Sequence, residues 1–204
     1  MPEASLPKVF YQPRFFSLEH CAELIVKAEH ASTHSTTVAA HGSQQVKEDI
    51  RRTSKVEMPN HLVEPIKRKL QKLMPTLQVY FGTVITRSQP IEVLRYQPGD
   101  FYRVHKDNGN LRIKEVGAAV PPSIANRQLT VVVFLNGQVA SENKESFSGG
   151  ELVLHSKISL TDSVDSLLPI SVKPGLLVAF PSSTLHEVMP VHLGIRYSIV
   201  SWFD

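Results

Sequence analysis

Between Val79 and Asp204 the apolar residues fall into short runs rich in β-branched side chains, each cut off by Gly, Pro or Asn. The runs are residues 83–86, 91–96, 129–135, 151–155, 170–172, 176–180 and 197–202. They are too short for helices, and β-branched side chains suit a pleated, half-buried surface. Seven or eight short strands with turn signals between them leave few architectures open, a sandwich or a jelly roll.

The first 78 residues read differently. Val9-Phe10-Tyr11 predicts a short strand. Ser17 then caps a helix in which Leu18, Cys21, Leu24, Ile25 and Ala28 recur at helical spacing, with Glu19 in the first turn. From about His30 to Lys47 the chain is rich in Ser, Thr and His and has no apolar period, which predicts a loop. Its histidines, His30, His34 and His41, read as polar surface residues. Asn60 is placed to cap a second helix running to about Met74, with Leu62, Ile66, Leu70 and Leu73 as its buried stripe. Pro65 falls in its early turns and argues for a later start. The expectation is a mainly β fold with flanking helices (α+β) in a single domain, residues 1–204. Residues 1–78 form a helical support that buttresses a jelly-roll core over 79–204.

Composition mostly excludes. The 22 basic and 19 acidic side chains leave a formal charge of +3, too little to imply a nucleic-acid partner. Lys67-Arg68-Lys69 with Lys72 reads as the solvated face of the second helix. Cys21 is the single cysteine, so an intrachain disulfide and a zinc–thiolate site are excluded. No apolar run has membrane-spanning length, and MPEASLPKVF lacks the pattern of a secretory signal. No membrane partner and a cytoplasmic location are expected.

The chemistry concentrates in four residues. His105 and Asp107 are separated by one position, so on an extended segment both side chains point to one face. His186 lies about eighty residues later and Arg196 ten beyond it. Two histidines and a carboxylate brought together make a facial triad for ferrous iron, with three positions left for substrate chemistry. An arginine nearby can hold an anionic co-substrate by a bidentate grip. Glu187 should alternate outward to the surface.

The segment YQPGDFYRVHKD (residues 96–107) resembles the iron-binding strand of the prolyl 4-hydroxylase-like branch of the Fe(II)/2-oxoglutarate-dependent dioxygenases. RQLTVVVFLN (127–136), FSGGEL (147–152) and PSSTLHEVMPVHLGIRYS (181–198) are similar to that family's later blocks, in the same order. Arg52-Thr53-Ser54 ahead of Met58-Pro59 resembles the segment before its second helix. The likeness spans roughly residues 92–204 and implies a double-stranded β-helix, the jelly roll already expected. It implies that His105, Asp107 and His186 hold Fe(II), that 2-oxoglutarate and O2 are cosubstrates with ascorbate as a reductant, and that Arg196 receives the distal carboxylate of 2-oxoglutarate. Tyr96 matches a tyrosine near that cosubstrate. Thr130, Val132 and Phe134 should line the same cavity with Leu94, Val188 and Trp202.

At Phe134 some relatives carry a tyrosine that bonds the distal carboxylate, and phenylalanine cannot. Arg196-x-Ser198 resembles an arrangement used for this purpose in other branches, so Ser198, helped by Thr130, is expected to supply the hydroxyl. The resemblance implies hydroxylation of a proline-type or other amino-acid unit, free, peptidyl or in a small molecule. Arg127 also matches a family position and is the candidate grip on the substrate. Desaturation or cyclisation of a small molecule, and a non-catalytic binding module, are the alternative readings. The long segments 108–126 and 137–148 are expected to act as substrate lids.

Overall fold

The computed structural model describes residues 6–36, 38–40, 43–45, 48–109, 120–138, 146–156 and 166–204. A seven-stranded antiparallel sheet runs in the order β1 (Phe10–Gln12), β14 (Leu177–Pro181), β9 (Leu129–Phe134), β17 (Arg196–Phe203), β7 (Glu92–Tyr96), β6 (Ser54–Val56) and β2 (Thr33–Ser35). A five-stranded antiparallel sheet is ordered β13 (Leu167–Pro169), β12 (Leu152–His155), β15 (His186–Val188), β8 (Phe101–His105) and β5 (Arg51–Arg52). A small sheet of β10 (Gly137–Gln138), β11 (Ser146–Gly149) and β16 (Val191–Gly194), and a hairpin of β3 (Val38–Ala40) and β4 (Ser43–Gln45), make up the other described strands.

The central strand β9 shows why the layers form. Its sequence LTVVVF is buried at every position, as a strand covered on both faces must be. Leu129, Val131 and Val133 turn one way, onto Cys21, Leu24 and Ala28 of α1 (Leu18–Glu29) and Ile66, Leu70 and Leu77 of α2 (Asn60–Phe81). Val132 and Phe134 turn the other way and pack with Leu152 and Leu154 of the five-stranded sheet. A period of two thus divides one strand between two cores. The fold is a mostly β jelly roll with flanking helices, as expected from the strand count.

Helix α1 begins as predicted, with the Ser17 hydroxyl accepting from the His20 N–H at 3.2 Å, although Leu18 is exposed rather than in the buried stripe. Helix α2 departs further. Pro59 takes the cap position, Asn60 begins the helix, and the chain continues through Pro65 and Pro75 to Phe81, past the 78/79 boundary drawn for the core. An interior proline costs about 3 kcal/mol. Complete burial of Leu77 against the sheet, at roughly 1.5–3 kcal/mol, offsets most of one. Gly82, at φ +68°, ends the helix in the left-handed conformation, its N–H on the Gln78 carbonyl.

The expected loop 30–47 instead contains β2, which pairs with β6, and the β3–β4 hairpin. β2 is exposed throughout, so it has no apolar alternation to read; backbone pairing with β6 makes it a strand at the sheet edge. Residues 83–86 and 170–172 are not strands; Ile85, Ile170 and Val172 are apolar because they are buried, not because they pair. Among the described residues no helix is long and apolar enough to cross a membrane.

Candidate metal centre and its cavity

His105 ends β8, His186 begins β15, and the two are register partners on neighbouring antiparallel strands. Pairing therefore removes their separation in sequence and leaves the rings 4.1 Å apart between centroids. Asp107 follows β8 in a turn whose Asp107 and Asn108 N–H groups both donate to the Ser182 carbonyl, at 2.9 and 3.3 Å. The His105 Nε2 lies 3.5 Å from Asp107 Oδ1, and the His186 Nε2 lies 3.4 Å from Oδ2. One donor atom from each of the three buried residues falls within 4.8 Å of the others, close enough to share a metal ion.

The donor atoms are also oriented. The His105 Nδ1 sits 2.8 Å from the Arg103 carbonyl and the His186 Nδ1 2.9 Å from the Thr184 carbonyl. An Nδ1–H given to each carbonyl leaves both Nε2 lone pairs facing the shared centre, the usual outer-shell arrangement of a metal-binding imidazole. Thr130 Oγ1 donates to Asp107 Oδ2 at 2.7 Å and lies 3.0 Å from the buried Ser182 hydroxyl. Burial opposes ionisation of Asp107, but the charge of His186 and bonds from both histidines hold its carboxyl well below the usual range. Burial and repulsion from His186 push His105 down to about 4. Burial also pulls on His186, yet the Asp107 charge keeps it above an ordinary imidazole.

A cavity of about 290 Å³ adjoins this group, between the two large sheets. Arg196, the first residue of β17, is 2% exposed inside it and pairs in register with Tyr96. Its guanidinium lies 4.9 Å from the Tyr96 ring and 5.2 Å from that of Phe134. One Nη1–H goes to the Ser198 hydroxyl at 3.0 Å, while Nε is buried without a partner among the described residues. Burial lowers the Arg196 pKa, and no described carboxylate pairs with it. A buried, unpaired cation of this kind calls for an anionic ligand. Gly150 makes room for it, because a Cβ there would lie 2.9 Å from Val191 Cγ2 and 3.2 Å from Arg196 Cδ, at φ +63°.

Leu94, Val132, Val188 and Trp202 line the cavity as expected, together with Tyr96, Thr130 and Ser198. Two expectations need correction. Phe134 is completely buried rather than on the wall, because the Arg196 guanidinium lies over its ring and takes the cavity side. The Thr130 hydroxyl is committed to Asp107 and Ser182, not to the Arg196 end, because it sits two residues before Val132 and four before Phe134, beside the metal group. Arg127 does line the cavity, stacked 3.7 Å over Trp202, with Nε on Gln89 Oε1 and Nη1 on the Asp107 carbonyl. Glu187 is partly exposed, as expected, and lies 3.0 Å from the buried His155 Nε2. Most of the two expected lids, residues 110–119 and 139–145, lies outside the described residues, as does His41. Sequence reasoning missed Ser182, Arg51, Tyr102, Lys55 and Glu92. A hydroxyl just past a strand end was the one visible hint, and it applies to Ser182 alone.

Residues 91–204 match a family described as the 2OG-Fe(II) oxygenase superfamily. A PKHD-type hydroxylase of Alteromonas mediterranea is 28% identical over 135 residues, covering 66% of this chain and 52% of the relative. The chain thus spans about half the length of that curated relative. Among solved structures, a Pseudomonas putida prolyl-4-hydroxylase superposes with a TM-score of 0.65 at 20% identity, covering 97% of this chain and 92% of the other. A Trichoplax adhaerens prolyl hydroxylase, solved with a hypoxia-inducible-factor peptide, superposes with a TM-score of 0.66 at 20% identity over 96% of this chain and 82% of the other. At that identity the two structures speak for the fold.

Proposed function

Because this chain belongs to the 2OG-Fe(II) oxygenase superfamily, we propose that it is an Fe(II)- and 2-oxoglutarate-dependent dioxygenase hydroxylating an unactivated C–H bond of a proline-type or other amino-acid unit, free, peptidyl or within a small molecule. His105, Asp107 and His186 hold the iron in this reading, and the observation that carries it is the buried, carboxylate-free Arg196 in the same cavity. Bound iron supplies the oxidative chemistry by which 2-oxoglutarate, O2 and R–H become succinate, CO2 and R–OH. The chain supplies everything around it. Arg196 and Ser198 receive the distal carboxylate of 2-oxoglutarate, with Tyr96 alongside. The Arg103 and Thr184 carbonyls orient the imidazoles, and Thr130 orients Asp107. Leu94, Val132, Val188 and Trp202 give walls that exclude water from the reacting carbon. Ascorbate, as a reductant keeping the iron ferrous, belongs to the same proposal.

Protein reconstituted with Fe(II), 2-oxoglutarate and O2 should form succinate together with products one oxygen atom heavier. Free amino acids, prolyl peptides and a cell extract serve as substrates, and Asp107→Ala is the blank. Succinate no higher than in that blank, for iron-loaded protein with every substrate, overturns the proposal.

A further inference from the structure

We propose that Gln89, a residue behind the cavity wall, is a positioning residue for the substrate side: its amide holds the Arg127 guanidinium flat on Trp202 and ties the short helix Pro122–Ala125 to the end of β17. The inference rests on the dioxygenase reading for which end of the cavity takes which occupant. Arg196 opens β17 at the cosubstrate end, and Trp202 lies six residues further along that strand, roughly 20 Å away. Trp202 is the register partner of Thr130, which bonds Asp107, so this end adjoins the metal group. Ile124, Arg127 and Trp202 all line the cavity, and Gln89 itself does not. In the dioxygenase reading their wall faces the carbon to be oxidised.

The Gln89 amide meets three segments at once. Its Nε2 donates to the Ser123 carbonyl at 2.5 Å and to Asp204 Oδ1 at 2.7 Å, and its Oε1 accepts from the Arg127 Nε–H at 3.0 Å. A carbonyl and a carboxylate only accept, and a guanidinium only donates. Turning the amide over would therefore mismatch every one of these contacts, so its orientation is fixed. The backbone of Gln89 is tied to β17 as well, its N–H on the Trp202 carbonyl at 2.8 Å and its carbonyl on the Ser201 hydroxyl at 3.2 Å. Asp204, buried, is held in turn by Arg87 Nε and Nη2, both at 2.6 Å.

What this frame holds is the plane of Arg127. One face lies 3.7 Å from the Trp202 ring centroid, Nε is on Gln89, and Nη1 reaches the Asp107 carbonyl at 3.3 Å. The last contact is long for a hydrogen bond. Without Gln89 the guanidinium keeps only that contact and the stacking, and it is free to swing off the indole. The helix Pro122–Ala125 depends on the same amide. It is four residues long and has no side-chain cap, so its position beside the cavity comes from contacts outside itself, the Gln89 bond to Ser123 among them.

Trp202 is the single tryptophan of the chain, so its fluorescence reads this wall alone. Acrylamide quenching is compared for the full, metal-free parent protein, Gln89→Met and Arg127→Met. Methionine keeps the length of either side chain without its hydrogen bonds. Arg127→Met bares the ring face and sets the upper limit; Gln89→Met should carry the quenching constant most of the way to it. N-oxalylglycine affinity with Mn(II), measured by calorimetry, should stay within about twofold in Gln89→Met, because the Arg196 end is remote. In turnover, Gln89→Met should raise the KM of the oxidised substrate about tenfold, the lower end for one hydrogen bond to a charged group, and leave that of 2-oxoglutarate within about twofold. On the parent protein labelled with 15N-arginine, the Arg127 Nε–H should exchange with solvent at least about tenfold more slowly than that of the exposed Arg52. Parental quenching in Gln89→Met, an equal loss at both ends of the cavity, or an Arg127 Nε–H that exchanges as freely as that of Arg52 overturns the inference. The exchange measurement decides even if Gln89→Met fails to fold. Failure of Mn(II) and N-oxalylglycine to bind the parent would count against the dioxygenase reading instead, and the metal-free quenching would still judge Gln89.

Discussion

Thr130→Val isolates what one hydroxyl does for the metal group, because valine keeps the shape and suits the strand. Thr130 is 1% exposed and donates at 2.7 Å to Asp107 Oδ2, and the methyl group that takes the place of its hydroxyl cannot donate. A hydrogen bond to a charged acceptor contributes about 1.5–3 kcal/mol. Asp107 is ionised without metal as well, held so by His186 and His105, and part of the loss therefore falls on the stability of the metal-free protein. About 1 kcal/mol of it there would lower Tm by roughly 2–4 °C for a chain of this size. The rest appears in affinity, where removing an outer-shell partner of a metal ligand costs about 10–100-fold. We expect Mn(II) binding near the lower end, about tenfold weaker, because the backbone N–H groups of Asp107 and Asn108 still tether this turn to the Ser182 carbonyl. The free Mn(II) signal in electron paramagnetic resonance titrations measures this directly, with thermal melts in parallel. Ser182→Ala, which removes a hydroxyl touching Thr130 but not Asp107, should have the smaller effect. Thr130→Val protein that binds Mn(II) within twofold of the parent and melts at the same temperature would refute the reasoning.

Ser198→Ala should raise the apparent KM for 2-oxoglutarate several-fold and leave that for the oxidised substrate nearly unchanged; an unmoved 2-oxoglutarate KM would remove Ser198 from the carboxylate site. Metal uptake should depend on pH in one direction. Burial pulls His186 down, but the Asp107 charge raises it above an ordinary imidazole, and a metal ion must displace that proton. Mn(II) affinity should therefore climb as pH rises through and beyond the usual imidazole range, with about one proton released per ion. His105, already depressed to about 4, adds nothing to this climb near neutrality. Calorimetry in two buffers of different ionisation enthalpy counts the proton, and affinity that is flat across that range would contradict the assignment.

The sheet core was legible because its strands carry their own signal. LTVVVF on β9 and RYSIVSWF on β17 are buried on both faces, and the runs that predicted them needed no knowledge of their neighbours. Helix α1 likewise carries its cap and stripe locally. Elements stabilised from outside escaped. The extra turns of α2 beyond Pro75 exist because Leu77 meets the sheet, a tertiary contact that overrides a local helix breaker. Strand β2 has three exposed residues and no period, and only its pairing with β6 makes it a strand.

The site divides along the same line. Periodicity reports the face a side chain occupies; it is silent on what stands opposite. His105, Asp107, His186 and Arg196 could be found because each sits in a segment with recognisable motif context, and the register of β8 with β15 then completes the group. Arg51 sits in a strand of two residues, beside an Arg52 of identical type that is exposed. Nothing local tells the two arginines apart. The difference arises only when β5 pairs with β8, setting Arg51 opposite Tyr102 and Arg52 opposite Phe101. A single-residue slip would turn Arg52 inward and Arg51 out to solvent. Which of the two arginines lines this cavity is therefore a property of strand register, and it becomes visible only once the partner strand is known.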